Sequence, residues 1–159
     1  MLDLPAIRRI LPQRHPLLLI DRVLELEPGR RITAVKAISL AETCYAAIAD
    51  EAPPQAYAYP VSLAIESIGQ AAALLFMAAT DRVLAADEMF VLGGIRDYRV
   101  HGRAYPGDVL RHEVVLDHAV ADTIFAAGQT WVGDRRIATA KSLVAAVRPR
   151  VLLPSEPVP

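Results

Sequence analysis

The chain has 159 residues, 53% of them apolar, which suits one compact domain with its own core. Lys and Arg total 17 against 18 Asp and Glu, a formal net charge of -1, so nucleic acid, whose phosphates call for a broad basic surface, is not an expected partner. The single cysteine, Cys44, excludes an internal disulfide and a four-cysteine zinc site, and the histidines at 15, 101, 112 and 118 follow no metal-ligating spacing.

Met1 to Arg9 mixes acid and base among its apolar residues, unlike the apolar run of a secretory signal, so a cytoplasmic location is expected. Residues 5–11 predict a short helix with proline at its start, stopped by Pro12 and Pro16. From Leu17 to Leu26 an apolar run turns into alternation past Ile20. Pro28-Gly29 then closes a turn into the alternating segment Arg31 to Ile38, which reads as a β-hairpin. Between Leu40 and Tyr59 no period holds, and a long loop is expected.

After Pro60, Val61 to about Arg82 is rich in good helix formers and apolar nearly all round, with small residues at 69, 71, 72 and 73. Such a helix is buried, and its longest apolar stretch, Ala71 to Ala79, is far shorter than the roughly 20 residues that span a bilayer. Four strands are then expected, at 89–100, 108–117, 122–132 and 136–147, joined by short turns that favour antiparallel pairing. The resulting class is α+β, a curved antiparallel sheet wrapping one long central helix. The domain is expected to span 1–150, with a loose tail at 151–159 that carries three prolines.

Three segments carry a resemblance. They are the opening stretch Ile7 to Lys36, the helix motif Ile65-Glu-Ser-Ile-Gly-Gln-Ala-Ala, and the turn Tyr105-Pro-Gly-Asp. Together they resemble the β-hydroxyacyl-acyl-carrier-protein dehydratases of fatty-acid synthesis, over roughly residues 5 to 150. The resemblance implies a single hot-dog domain, at least a dimer, with sites shared across the subunit interface. It further implies no cofactor, the substrate being carried on the phosphopantetheine of an acyl carrier protein.

In that family a loop of the form Gly-His-Phe-Pro-Gly-His-Pro-x-x-Pro-Gly precedes the helix, and its first histidine is the general base. Anchored on Pro60 and Glu66, the loop falls on Glu51 to Val61. Ala52 then stands at the position of the base, Ala56 at the second histidine, and Gln55 and Val61 at glycines. Dehydration needs one group to take a proton beside the thioester carbonyl and another to protonate the departing hydroxyl, and alanine does neither. Glu66 falls on the family's acid position, amid apolar residues where an unpaired carboxylate is costly, and Gln70, one turn on, is expected to orient it.

Tyr57, Tyr59 and Val61 are expected to line the space used by substrate. Arg96, Arg99 and Arg103 are read either as a solvated strand end or as a landing patch for the acidic carrier protein. His15 is expected to cap or pack on the first helix, Asp50 and Glu51 to be poor substitutes for the base, and Cys44 to be a small buried group.

These residues lead to a half-site subunit of a heteromeric 3-hydroxyacyl-acyl-carrier-protein dehydratase, in fatty-acid or reducing polyketide synthesis, that lends Glu66 to a histidine-bearing hot-dog partner. Two alternatives stay open: a stand-alone thioesterase or isomerase using Glu66, and an inert homodimer that binds acyl carrier protein. Neither metal nor membrane is expected.

Overall fold

The computed structural model describes residues 1–80, 85 and 87–149. The first helix, α1 (Leu4–Ile10), starts where the Asp3 carboxylate accepts from the Ala6 N–H at 3.0 Å, with proline in its first turn. Two strands follow, β1 (Arg22–Glu27) and β2 (Arg31–Ala37), paired antiparallel as the alternation predicts. Gly29, at φ 72°, supplies the left-handed residue of their turn. The loop over 40–59 holds two short 3-10 turns, Thr43–Tyr45 and Pro54–Tyr57.

The central helix, α2 (Val61–Thr80), starts beneath the Pro60 carbonyl, which accepts from the N–H groups of Leu63 and Ala64 at 3.1 Å. The last two positions of the expected helix, Asp81 and Arg82, lie outside the described residues, as does the expected tail at 151–159. The remaining strands are β3 (Glu88–Val100), β4 (Val109–Val120), β5 (Thr123–Val132) and β6 (Arg135–Pro149). All pairs are antiparallel, and the sheet order is β1-β2-β4-β5-β6-β3. This is the hot-dog arrangement, with the sheet curled round α2. At one margin β3 pairs with β6 alone, so among the described residues its outer edge has no neighbour.

By length and composition α2 could cross a membrane, but it is the buried core of the domain. Ala71, Ala72 and Ala73 are 0–1% exposed, and Ile68, Leu74, Leu75 and Phe76 pack with Ile32, Val114, Ile124 and Leu143. Each such side chain contributes about 1.5–3 kcal/mol by leaving water. The sheet approaches the helix closely at Gly128, where a Cβ would come within 2.6 Å of Ile68 Cδ1. Any larger residue there would force the buried Ile68 side chain to shift.

Candidate functional site

A cavity of about 510 Å³ opens beside the N-terminus of α2, walled by Tyr59, Val61, Ala64, Tyr98, Arg103 and Ile137 among others. Its floor is held by the Tyr59 N–H, which donates to the Ala104 carbonyl at 2.8 Å and ties the loop before α2 to the segment after β3. Val61 and Val100, both lining it, remain 45% and 51% exposed. An apolar mouth of that kind is suited to an acyl chain or to a second protein surface. The Tyr59 hydroxyl is buried, and desolvation pushes its phenol upward, so it stays protonated.

Glu66 does not line this cavity. At 3.6 residues per turn, Glu66 and Gln70 lie roughly 120–180° around α2 from Val61 and Ala64. They face residues 13–20 instead. The Gln70 amide is fully engaged: Nε2 donates to Glu66 Oε1 at 2.8 Å and to the Leu17 carbonyl at 2.6 Å, and Oε1 accepts from the N–H groups of Leu19 and Ile20 at 2.9 and 3.4 Å. Strand β1 begins only at Arg22, since the N–H groups of Leu17 and Leu18 turn back to the Arg14 carbonyl and those of Leu19 and Ile20 go to the Gln70 side chain, not to the sheet. Gln13, in the segment after α1, adds a second amide to Glu66 Oε1 at 3.4 Å.

The other expected residues are dispersed. Ala52 is half-buried in the loop, its N–H bonded to the Ala49 carbonyl at 3.0 Å, and the flanking Asp50 and Glu51 are exposed. Tyr57 is separated from Tyr59: it packs on Tyr45, ring centroids 6.5 Å apart, and borders a different hollow with Glu42 and Ile48. Arg96, Arg99 and Arg103 are all exposed but share no single cavity, since Arg103 borders the α2 cavity while Arg99 borders a depression on the outer sheet face with Asp97 and Lys141. His15 is exposed in the turn after α1, and Cys44 is half-buried with its thiol pushed up by desolvation. None of the four histidines lines the α2 cavity. Among the described residues no group of three His, Cys, Asp or Glu is placed to hold a metal.

A further polar chain runs through the core. Ser67 Oγ lies 2.8 Å from His112 Nε2, and His112 Nδ1 lies 2.9 Å from Thr130 Oγ1, all three being 0% exposed. Burial drives the His112 imidazole down to about 3, so it is neutral, one ring nitrogen donating and the other accepting. A serine beside a histidine suggests a nucleophile, yet without access to solvent the chain can only pin α2 to β4 and β5. Alternation along β4 puts His112 on the same inward row as Leu110 and Val114, which is the signal that could have found it.

Residues 11–141 match the FabA-like domain family. The chain belongs to that family. It is 38% identical over 125 residues to the 3-hydroxyacyl-(acyl-carrier-protein) dehydratase FabZ of Symbiobacterium thermophilum, covering 79% of this chain and 83% of that protein. It is 33% identical to the FabZ of Variovorax paradoxus over 147 residues, 92% of this chain and 95% of that one. Among solved structures, the dehydratase heterocomplex ApeI:P from Xenorhabdus doucetiae superposes with a TM-score of 0.71 at 17% identity, covering 88% of this chain and 89% of that chain. A hypothetical thioesterase with coenzyme A from Streptococcus pneumoniae superposes at 0.58 with 9% identity, over 80% of this chain and 85% of that chain. The chain is thus a hot-dog protein of the FabZ-like dehydratase family.

Proposed function

We propose that this chain is the half-site subunit of a heteromeric 3-hydroxyacyl-acyl-carrier-protein dehydratase, supplying Glu66 as general acid to a hot-dog partner that supplies the histidine base. The observation that carries this reading is a carboxylate anchored by two amides in a chain that has alanine at position 52. A carboxylate among apolar helix residues needs hydrogen-bond partners, and Glu66 has them in Gln13 and Gln70. Its placement on the far side of α2 from the cavity favours a site completed by another subunit, and the unpaired edge of β3 offers a 13-residue template for joining one. A heterocomplex among the structural neighbours is in keeping with this.

In the proposed reaction the partner's histidine removes the Cα proton of a 3-hydroxyacyl thioester. The electron pair forms the Cα–Cβ double bond, the C–O bond breaks, and the Glu66 proton joins the departing oxygen to release water. Histidine is left protonated and Glu66 ionised, and exchange with solvent resets both. Each positioned proton carrier contributes about 10²- to 10⁴-fold. The substrate arrives on an acyl carrier protein in fatty-acid or reducing polyketide synthesis, with Arg103, which borders the cavity, as the first landing point and Arg96 and Arg99 on β3 beyond it.

Co-expression with histidine-bearing hot-dog proteins, followed by mass measurement of the intact complex and a dehydration assay, tests the proposal. We expect a mixed complex with turnover and an isolated chain without it. Turnover by the isolated chain within tenfold of an ordinary dehydratase refutes the reading. Ala52→His alone should restore little, because Gln55 and Val61 still replace two loop glycines and a 1 Å misplacement can cost about 10²-fold.

A further inference from the structure

We infer that Gln13 is a positioning residue: together with Gln70 it anchors Oε1 of Glu66, leaving Oε2 as the oxygen from which the proton is given. The inference rests on the acid role proposed above for Glu66. Two amide nitrogens from different parts of the chain converge on the same carboxyl oxygen, Gln70 from one turn along α2 and Gln13 from the segment after α1. Oε2 has no hydrogen-bond partner among the described residues. An oxygen that accepts two N–H groups is held in the carbonyl role, since a hydroxyl proton on it would collide with its donors. The proton of the neutral acid then sits on Oε2. During elimination that O–H bond breaks, its electron pair stays on Glu66, and the proton bonds to the departing hydroxyl.

Gln70 alone does not fix the carboxyl, because its amide is already committed to the backbone at 17, 19 and 20 and cannot follow Glu66 if the side chain rotates. A second anchor from another direction stops that rotation. The Oε1 of Gln13 is buried without a partner among the described residues, where that side chain's one hydrogen bond is the one to Glu66. A buried carbonyl left unpaired is a cost that Gln13 incurs to keep its nitrogen on the carboxylate. Leucine would fill the same space without that cost, which argues that the amide is present for Glu66.

The test uses the mixed complex with crotonoyl-N-acetylcysteamine as the probe, followed as hydration, the reverse reaction. Gln13→Leu should lower kcat about five- to tenfold with KM changed less than twofold and the melting temperature not lowered. Gln13→His, which returns an N–H donor at similar reach, should restore kcat to within about twofold. An unchanged kcat in Gln13→Leu overturns the inference, and so does a loss that Gln13→His does not repair, which marks a packing effect. Glu66→Gln in the same complex separates the two levels: if it leaves kcat intact, the acid role itself is wrong and Gln13 falls with it. If it abolishes turnover while Gln13→Leu has none of the expected effect, only the assignment of Gln13 is wrong.

Discussion

Gln70 and Glu66 are joined at 2.8 Å through an amide whose other contacts all go to the backbone of residues 17–20. One side chain therefore fastens the N-terminal segment to α2 and supplies the shorter of the two amide contacts to the carboxyl. Under the proposed acid role of Glu66, a change at Gln70 therefore bears on both stability and turnover.

Gln70→Leu should destabilise the fold by about 2–4 kcal/mol, since it leaves the N–H groups of the buried Leu19 and Ile20 without their acceptor and the Leu17 carbonyl without its donor. Urea unfolding followed by circular dichroism measures this. A loss below about 0.5 kcal/mol would mean that water or a backbone shift replaces the amide. Gln70→Glu should fall between the two, because it keeps an acceptor for Leu19 and Ile20 but sets a second carboxylate against Glu66.

The buried imidazole gives the fold an acid sensitivity. His112 is held neutral with its folded value near 3, whereas in the unfolded chain it titrates near 6.5. Between these values the unfolded state binds one more proton than the folded state, so this contribution is complete above about pH 6.5 and is lost progressively as pH falls towards 3. From pH 7 to pH 5 the loss attributable to His112 is about 2 kcal/mol. The triple variant Ser67→Ala, His112→Leu, Thr130→Val removes the whole polar chain and should show a correspondingly flatter stability profile over that range. Parallel profiles for the two proteins would show that His112 takes up a proton within the fold.

Carrier-protein docking should depend unequally on the arginines. Arg103 borders the α2 cavity and Arg99 the outer sheet face, where Lys141 approaches Asp97 at 3.9 Å. Arg103→Glu should weaken binding of an acyl carrier protein and flatten its dependence on salt, while Arg99→Glu should change both less, because exposed charges are screened over about 8 Å at physiological ionic strength. Equal effects would restore a continuous patch, and no effect at either would leave these arginines as solvated surface.

The fold was legible because its signals are long and independent: alternation in β2 and β4, a 20-residue helix without a polar face, and short turns between strands. Glu66 was legible from the resemblance, and its pairing with Gln70 from spacing, since residues four apart share a helix face. Gln13 was not, because its meeting with Glu66 spans 53 positions and depends on how the segment after α1 folds back. The separation of Tyr57 from Tyr59 was equally hidden. Residues two apart in a loop carry no fixed phase, and here a 3-10 turn ending at Tyr57 sends its ring to Tyr45. The arginines at 96, 99 and 103 look like a cluster in sequence, but β3 ends at Val100 and the chain leaves the strand before Arg103.

The most direct test of Glu66 working across subunits is kcat of the mixed complex carrying Glu66→Gln in this chain alone, compared with a complex in which only the partner's own helix acid is removed. Glutamine keeps shape and hydrogen bonding but has no transferable proton. The account predicts that kcat falls by about 10²-fold or more with assembly unaffected when Glu66 is changed, and that removing the partner's acid has little effect. Full activity with Glu66→Gln, together with loss of activity when the partner's acid is removed, would contradict it and leave this chain a structural half only.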